Sequence, residues 1–320
     1  MSSERSIFSL PADRSVARGH SFDAEMFSRE FASNGLDIGA NGANHLYRAV
    51  YEALAGEQAK SLRISVVKGG PADLAAANQR RAPEYDPGRI DAAVNCAVTS
   101  IVTNRLAPRK PKSLAIIGSG PRARVHAVGV AAVRNVTDIR IFDRRIIAAR
   151  EMGMKLRRIT GTTPRLAQTP EEAVHGADMV VISTADGFPA IESDWIRGDV
   201  FVISAGPRFR QRHELPLSLA ARARAIVSDN IEAIGELGES FFLSQQSMPR
   251  PIEQIGAYLG APGQADEQGV KLFLAHDRPS VLDQILVEEK AQPFGNRGWV
   301  DAPHLDGRDE GTGRPRAVNL

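Results

Sequence analysis

The residues most suited to chemistry lie between Ser113 and Arg145. An apolar run there ends at Gly118 and Gly120, an Ala/Val-rich helical segment follows, and a second apolar run ends at Asp143. Gly118 permits a tight turn, and Gly120 lets the backbone approach a pyrophosphate. The helix start offers N–H groups to phosphates, and Asp143 can accept hydrogen bonds from an adenosine ribose. This order predicts a dinucleotide-binding unit.

The glycine pattern alone is weak evidence, because a glycine turn in an α/β sheet that binds no nucleotide has the same residues. The strand before it, the helix after it and Asp143 favour nucleotide binding. Asp143 would repel a 2′-phosphate, whereas Arg144 and Arg145 could pair with that phosphate. NAD is therefore the expected cofactor, and NADP stays the alternative.

Extended and helical patterns alternate from residue 112 onward. Near-continuous apolar runs such as MVVIS (179–183) and VFVIS (200–204) are typical of strands covered on both faces. Their alternation with helical segments predicts a parallel, doubly wound sheet. The expected strands are 113–118, 138–143, 165–168, 178–183, 200–205 and 225–228. The expected helices are 121–134, 146–159, one capped by Thr169 with Pro170 at its first position, and 217–223.

The two ends of the chain lack this alternation. Residues 43–54 and 89–106 have the apolar spacing of helices, and 61–67 that of a strand. Residues 69–88 contain several Gly and Pro residues and predict a long connection. Toward the C-terminus the pattern indicates helix, with an amphipathic segment at 280–290.

Composition restricts the class of protein. The chain has 320 residues, a net charge of +2 and 42% hydrophobic residues, which is typical of a globular protein of one or two domains. Such a small charge does not favour nucleic acid as a partner. The N-terminus lacks the apolar core of a signal peptide, and no apolar run approaches the ~20 residues that span a bilayer. We therefore expect a cytoplasmic protein with no membrane partner.

Cysteine and histidine usage gives no support for a metal centre. Cys96 is the only cysteine, and its apolar helical surroundings predict a small buried side chain. The seven histidines are scattered, without an HxxxH or Cys/His pair, so we expect no metal site.

Four ordered segments carry a wider pattern. They are an Arg-led helix running into the glycine loop (89–124), a strand with a Thr-containing turn (178–191), a series that begins with Glu-Leu (213–239) and a late helix (270–295). Together they resemble the ornithine cyclodeaminase/mu-crystallin family. The resemblance implies an NAD(P)-dependent oxidoreductase that acts on the Cα–N bond of a small amino or imino acid. It also implies a homodimer.

The resemblance also implies a domain organisation. In an α/β fold, a Rossmann-type doubly wound parallel sheet (109–274) would be inserted in a smaller, shortened α+β substrate and dimerisation domain. That second domain would comprise residues 1–108 and 275–320.

By position, the resemblance assigns cofactor-binding residues to the carboxyl ends of the expected strands. Thr184 and Ser204 would line the nicotinamide side, and Asp143 followed by Arg144 the adenosine side. Asp229, which ends another strand, would contact the cofactor or, as we favour, cap the next helix. The pyrophosphate loop would comprise Gly118, Gly120, Pro121 and Arg122.

The substrate side departs from the family pattern. Arg63 and Lys68 lie where the family keeps basic groups for the substrate, and Lys68 is also a candidate for catalysis. Arg89 would contact a cofactor phosphate or a substrate carboxylate. Lys68 and Arg89 are closer together than in the family, which predicts the shortened substrate domain.

In the family, an aspartate exchanges the proton during the reaction, and this chain has a different residue at the matching position. The matching position is Arg208, and residues 200–213 contain no acid. Arg208 could clamp a carboxylate, because a guanidinium binds carboxylate in a bidentate manner; a solvated basic loop with Arg210 and Arg212 is the alternative. His213 is the nearest titratable candidate for the missing acid, and an exposed place beside the next helix is its alternative.

Three functions stay open at this point. The first is the amino- or imino-acid oxidoreductase. The second is a cofactor-binding protein that has lost family catalysis, which the missing acid and the shortened first domain favour. The third is an imine reductase in which Arg208 and a water replace the acid.

Overall fold

Eight parallel strands form the central sheet of the computed structural model. The structure describes residues 22–32, 39–55, 62–67, 87–244, 251–259, 268–276 and 285–290, all within one unit that extends from Met1 to Lys290. The strands are β1 (Leu62–Val67), β2 (Ser113–Ile117), β3 (Asp138–Phe142), β4 (Arg165–Leu166), β5 (Met179–Ile182), β6 (Val200–Ser204), β7 (Arg208–Phe209), β8 (Arg212–His213), β9 (Ala225–Ser228), β10 (Ile252–Gln254), β11 (Val270–Leu274) and β12 (Ile285–Lys290).

Helices of different lengths connect and cover these strands. They are α1 (Ala24–Ala32), α2 (Gly39–Leu54), α3 (Pro87–Leu106), α4 (Pro121–Ala131), α5 (Ile146–Thr160), α6 (Pro170–Val174), α7 (Leu217–Ala221), α8 (Ile231–Leu237) and α9 (Ile255–Leu259). None of the helices in the described ranges is long and apolar enough to cross a membrane.

The sheet has the order β4-β3-β2-β5-β6-β11-β9-β10. All neighbouring strands in it are parallel. From β2 the chain first builds outward through β3 and β4, and then returns to add β5 on the other side of β2. This reversal opens a crevice beyond the carboxyl ends of β2 and β5, which is where doubly wound sheets bind ligands.

Two apolar cores explain the near-continuous hydrophobic runs. Leu114 and Ile116 of β2 belong to one buried cluster, and Ala115 and Ile117 belong to the other. Successive side chains of a strand point to opposite faces, so a strand with a core on both faces has no polar side. The first core also contains Phe27, Leu46 and Ile101 of the helices α1, α2 and α3.

A glycine brings α3 and α4 into close contact. A Cβ at Gly129 would lie 2.7 Å from the carbonyl oxygen of Cys96 and 2.9 Å from the Cβ of Thr99. The carbonyl of Gly129 accepts a hydrogen bond of 2.9 Å from Ser100 Oγ. This close approach holds α4, which follows the glycine loop, against α3, which precedes β2 in the chain.

The predicted fold class is confirmed. The expected strands of the alternating region are present with ends that differ by one or two residues, and β1, α2 and α3 occur where strand and helices were expected. Thr169 caps α6 as predicted, because its hydroxyl accepts from Glu172 N at 3.0 Å. The division into residues 109–274 and the two chain ends stays a prediction. Of the expected connection 69–88, residues 69–86 lie outside the described part.

The helical prediction for the C-terminal region is wrong. Residues 270–274 form β11, inserted between β6 and β9, and residues 285–290 form β12, which pairs with β1 with Leu62 opposite Ile285. Short apolar runs fit helix and strand equally well by periodicity. In both segments, backbone pairing with distant strands decides the conformation. Residues 280–284 of the expected helix lie outside the described ranges.

Candidate functional site

The glycine loop after β2 requires a glycine at its first position. Gly118 has φ of +101°, and a Cβ there would lie 2.2 Å from the carbonyl oxygen of Ser183, at the end of β5. Gly120 is the N-cap of α4, with Pro121 at the first helical position. A Cβ at Gly120 would meet no atom within 4 Å, so this part of the loop faces open space.

Asp143 joins the tip of β3 to the glycine loop. Its Oδ2 accepts hydrogen bonds from Ser119 N at 2.9 Å and from Ser119 Oγ at 2.6 Å. Its Oδ1 accepts from Arg145 N at 2.8 Å. Burial alone would raise the pKa of Asp143, but these hydrogen bonds and the Arg145 charge lower it. The side chain is therefore an anion beside the loop, as a ribose-binding acid must be.

The two arginines after Asp143 both contact acids. The guanidinium of Arg144 donates to Asp186, which lies on the loop after β5, and both side chains are exposed. Arg145 Nε lies 3.5 Å from Asp143 Oδ1. A phosphate group that recruited Arg144 would have to compete with Asp186.

Glu214 joins the ends of β5 and β6. Its Oε2 accepts from Thr184 N at 2.9 Å, with Thr184 Oγ1 at 3.4 Å. Its Oε1 accepts from Ser204 Oγ at 2.7 Å and from Gly206 N at 2.6 Å. The carboxyl is fully buried. Burial raises the pKa of Glu214 despite these hydrogen bonds and the nearby Arg208 charge.

Arg208 is buried between the ends of β6 and β11. Only 8% of it is exposed, and its Nη2 donates to the carbonyls of Ser204 and Ala275. The solvated basic loop is therefore wrong for Arg208, although Arg210 and Arg212 are exposed. Arg208 pairs with His213 in the β7–β8 hairpin, and its hydrogen bonds to the two carbonyls hold its guanidinium against the sheet.

Two neutral histidines lie in the electrostatic field of Arg208. Burial, with the charges of Arg122 and Arg208, lowers the pKa of His126 to about 3. Burial and Arg208 lower the pKa of His276 to about 4. Nδ1 of His126 lies 2.6 Å from Thr99 Oγ1. Both histidines were missed by sequence reasoning, because only the fold brings them to Arg208.

The structure gives contacts for Arg122 and His213, whose predicted roles stay predictions. Arg122, predicted for the pyrophosphate loop, donates from Nη1 to the carbonyl of Ala205 at 2.5 Å, beyond β6. His213 is half-buried and stacks on Phe242 with 5.2 Å between ring centroids. Its Nδ1 lies 2.8 Å from the Leu215 carbonyl, which can only accept, so Nδ1 carries a proton.

The helix-cap prediction for Asp229 is wrong. Asn230 caps α8, since its Oδ1 accepts from Ala233 N at 2.9 Å. Asp229 is fully buried and its Oδ1 accepts from His276 N at 3.0 Å. The sequence SDN offers two adjacent capping residues, and the hydrogen bond to the segment after β11 decides between them.

The predicted substrate residues lie at the margin of the described chain. Lys68 is outside it. Arg63 lies in β1 and Arg89 in the first turn of α3. Their predicted roles therefore stay predictions. Within the described ranges, no group of three or more His, Cys, Asp or Glu residues could hold a metal ion.

The sheet order, the crevice and the glycine loop define a Rossmann-type protein. Residues 88–275 match the sequence profile of the ornithine cyclodeaminase/mu-crystallin family. This match covers more than half of the chain, and the chain therefore belongs to that family.

Two curated relatives and one solved structure illustrate the similarity. The chain is 28% identical to a Bacillus cereus Delta(1)-pyrroline-2-carboxylate reductase over 45% of its length and 44% of the relative's. It is 26% identical to a Pseudomonas aeruginosa NAD(P)H-dependent anabolic L-arginine dehydrogenase over 50% of each chain. The chain spans about half the length of these curated relatives.

The solved structure supports the fold. It is Delta(1)-pyrroline-2-carboxylate reductase from Thermococcus litoralis in complex with NADH and L-proline, with a TM-score of 0.52 and 22% identity. The similarity covers 58% of this chain and 59% of that one.

Proposed function

We propose that the protein is an NAD(P)-dependent oxidoreductase that acts on the Cα–N bond of an amino or imino acid. The observation that carries this proposal is that Asp143 is hydrogen-bonded to Ser119 of the glycine loop, at the switch point of the sheet. Family membership supports it. The names of the two curated relatives, an imine reductase and an amino-acid dehydrogenase, support the same class of reaction.

The residues at the sheet edge fit a dinucleotide. Gly118 keeps the loop close to β5, and the open face of Gly120 and the start of α4 offer room and N–H groups for phosphates. The Asp143 anion would accept from the ribose hydroxyls and repel a 2′-phosphate, so NAD is the preferred cofactor, with NADP the alternative. Thr184 and Ser204 lie at the ends of β5 and β6, and we propose that they line the nicotinamide side.

The chemistry divides between cofactor and protein. A bound nicotinamide would accept a hydride from Cα or return one to an imine. The protein must hold the substrate carboxylate and exchange a proton at the nitrogen. For the carboxylate we propose Arg208, with Arg63, Lys68 and Arg89 from the N-terminal region. For the proton we propose His213 or Lys68.

Two other functions keep specific support. Arg208 stands where the family has an acid, which favours a cofactor-binding protein without family catalysis. The same replacement fits an imine reductase, in which an ordered water beside Arg208 would supply the proton. A homodimer is the proposed assembly in each case.

Titration separates these functions. We expect the purified protein to bind NADH more tightly than NADPH, monitored by nicotinamide fluorescence. A panel of amino acids, keto acids and amines is then tested for a change in nicotinamide absorbance. Tight nucleotide binding without turnover across the panel would favour the cofactor-binding protein over the enzyme. Failure to bind either nucleotide would remove the proposal.

A further inference from the structure

We propose that Glu214 is the positioning residue for the nicotinamide half of the cofactor site. It would act by holding the loops after β5 and β6 in one arrangement, and not by touching the substrate. This inference rests on the proposed function, since it requires a dinucleotide at the carboxyl edge.

Each carboxyl oxygen of Glu214 serves a different loop. Oε2 accepts from the backbone of Thr184 at 2.9 Å, after β5. Oε1 accepts from Ser204 Oγ at 2.7 Å and Gly206 N at 2.6 Å, after β6. A single side chain therefore links the two loops just beyond the last β5–β6 backbone hydrogen bond, which Ala205 N donates to Ile182 O.

The backbone around Glu214 reinforces this link. Its carbonyl accepts from Ala190 N at 3.4 Å, and His213 N donates to Gly187 O at 2.9 Å. The loop after β5 is thus attached at four points, Thr184, Ala185, Gly187 and Ala190, to the segment that carries Glu214, since Arg212 Nη2 also donates to Ala185 O at 2.7 Å.

The burial of Glu214 argues against a role in simple packing. A carboxyl without solvent access is costly unless hydrogen bonds compensate, and an apolar side chain would fill the same volume at less cost. The loop after β6 is also shaped around it: a Cβ at Gly206 would lie 2.1 Å from Glu214 Oε2. The hydrogen-bonding capacity of Glu214, and not its volume, fits this place.

The position relative to Asp143 identifies the half of the cofactor concerned. A dinucleotide lies across the crevice with its halves on opposite sides of the switch point. Asp143 orders the glycine loop on the β2–β3 side. Glu214 orders the loops on the β5–β6 side, so it serves the other half, which carries the nicotinamide.

The test compares two ligands that differ by the nicotinamide. Isothermal titration with NADH and with ADP-ribose is carried out on the wild type, Glu214→Gln and the control Glu236→Gln, an exposed carboxyl on α8. Glutamine keeps the shape but presents an amide N–H₂ to one of the N–H donors, so one loop is released. We expect NADH to bind at least tenfold more weakly to Glu214→Gln, ADP-ribose to bind within twofold of wild type, and the control to match wild type for both.

Two results would overturn the inference separately from the proposed function. If wild type binds NADH and Glu214→Gln binds it equally well, Glu214 does not position the nicotinamide. If both ligands weaken together and the melting temperature falls, its role is structural only. Should Glu214→Gln not fold, Glu214→Asp, whose shorter carboxyl reaches one loop only, must show the same selective loss. If wild type binds neither ligand, the proposed function fails and this inference with it.

Discussion

The β2–β3 end and the β5–β6 end of the sheet each place a carboxyl among loops, yet the pKa values of the two carboxyls are shifted in opposite directions. Asp143 retains 11% side-chain exposure and has a lowered pKa. Glu214 is fully buried and has a raised pKa. Both accept several hydrogen bonds, so hydrogen bonding alone does not set the direction of the pKa shift.

The difference between the ends shows how burial decides the role of an acid. At Asp143, hydrogen bonds and the adjacent Arg145 outweigh the effect of burial on the pKa, which leaves an anion at the end of β3. At Glu214, complete burial outweighs the same kind of hydrogen bond. An anion beside open space can bind a ligand, whereas a buried carboxyl organises the chain around it.

Among the substitutions that test this comparison, Gly118→Ala should have the largest effect on stability. The added Cβ meets the Ser183 carbonyl, and φ of +101° disfavours any side chain, so we expect a loss of about 3 kcal/mol in unfolding free energy. Urea denaturation measures it. Gly120→Ala is the matched control, with a change below about 0.5 kcal/mol but weaker NADH binding. Equal stability of Gly118→Ala and wild type would contradict the close contact of β2 and β5.

Acid should weaken the fold through the histidines near Arg208. The folded pKa of His126, about 3, lies below its ordinary value of 6.5, so its neutral form stabilises the fold above pH 6.5 and that contribution is lost as pH falls toward 3. Between pH 7 and 5 the loss due to His126 is about 2 kcal/mol. Denaturation of wild type and His126→Asn at both pH values measures it. Identical pH dependence in the two proteins would refute the assignment.

Asp143→Asn tests the acid at the end of β3 as a ligand-binding anion. The variant keeps the shape of the side chain but loses its charge, and we expect NADH to bind about tenfold more weakly, equivalent to about 1.4 kcal/mol. NADPH binding should change less, because the repulsion of its 2′-phosphate is removed at the same time. An unchanged NADH affinity would show that Asp143 does not bind the ribose.

Asp186→Asn should give the smallest effect and sharpen the choice between NAD and NADP. It releases Arg144 from an exposed ion pair, and exposed pairs contribute at most about 1 kcal/mol. We therefore expect NADPH affinity to rise about threefold while NADH affinity stays constant. Asp194→Asn, another exposed acid, is the control. An unchanged NADPH affinity would mean that Arg144 does not reach the 2′-phosphate.

Local interactions made part of the molecule predictable. The cap of α6 lies within three residues, from Thr169 to Glu172, and the glycine loop follows directly from β2. Such features depend on nearby residues, so their patterns remain visible in the chain. The choice between Asp229 and Asn230 as a cap was not predictable, because it depends on a contact with His276.

The sequence by itself determined the doubly wound sheet, the glycine loop and the acid at the end of β3. Apolar runs, glycine spacing and helix caps act over short distances, and they restrict the backbone before any distant contact forms. Only the tertiary structure decided that residues 285–290 pair with β1, that Arg208 is buried and that Glu214 joins two loops. These outcomes depend on burial and on partners far along the chain, and it is burial that raises the pKa of Glu214 and lowers the pKa of the histidines around Arg208.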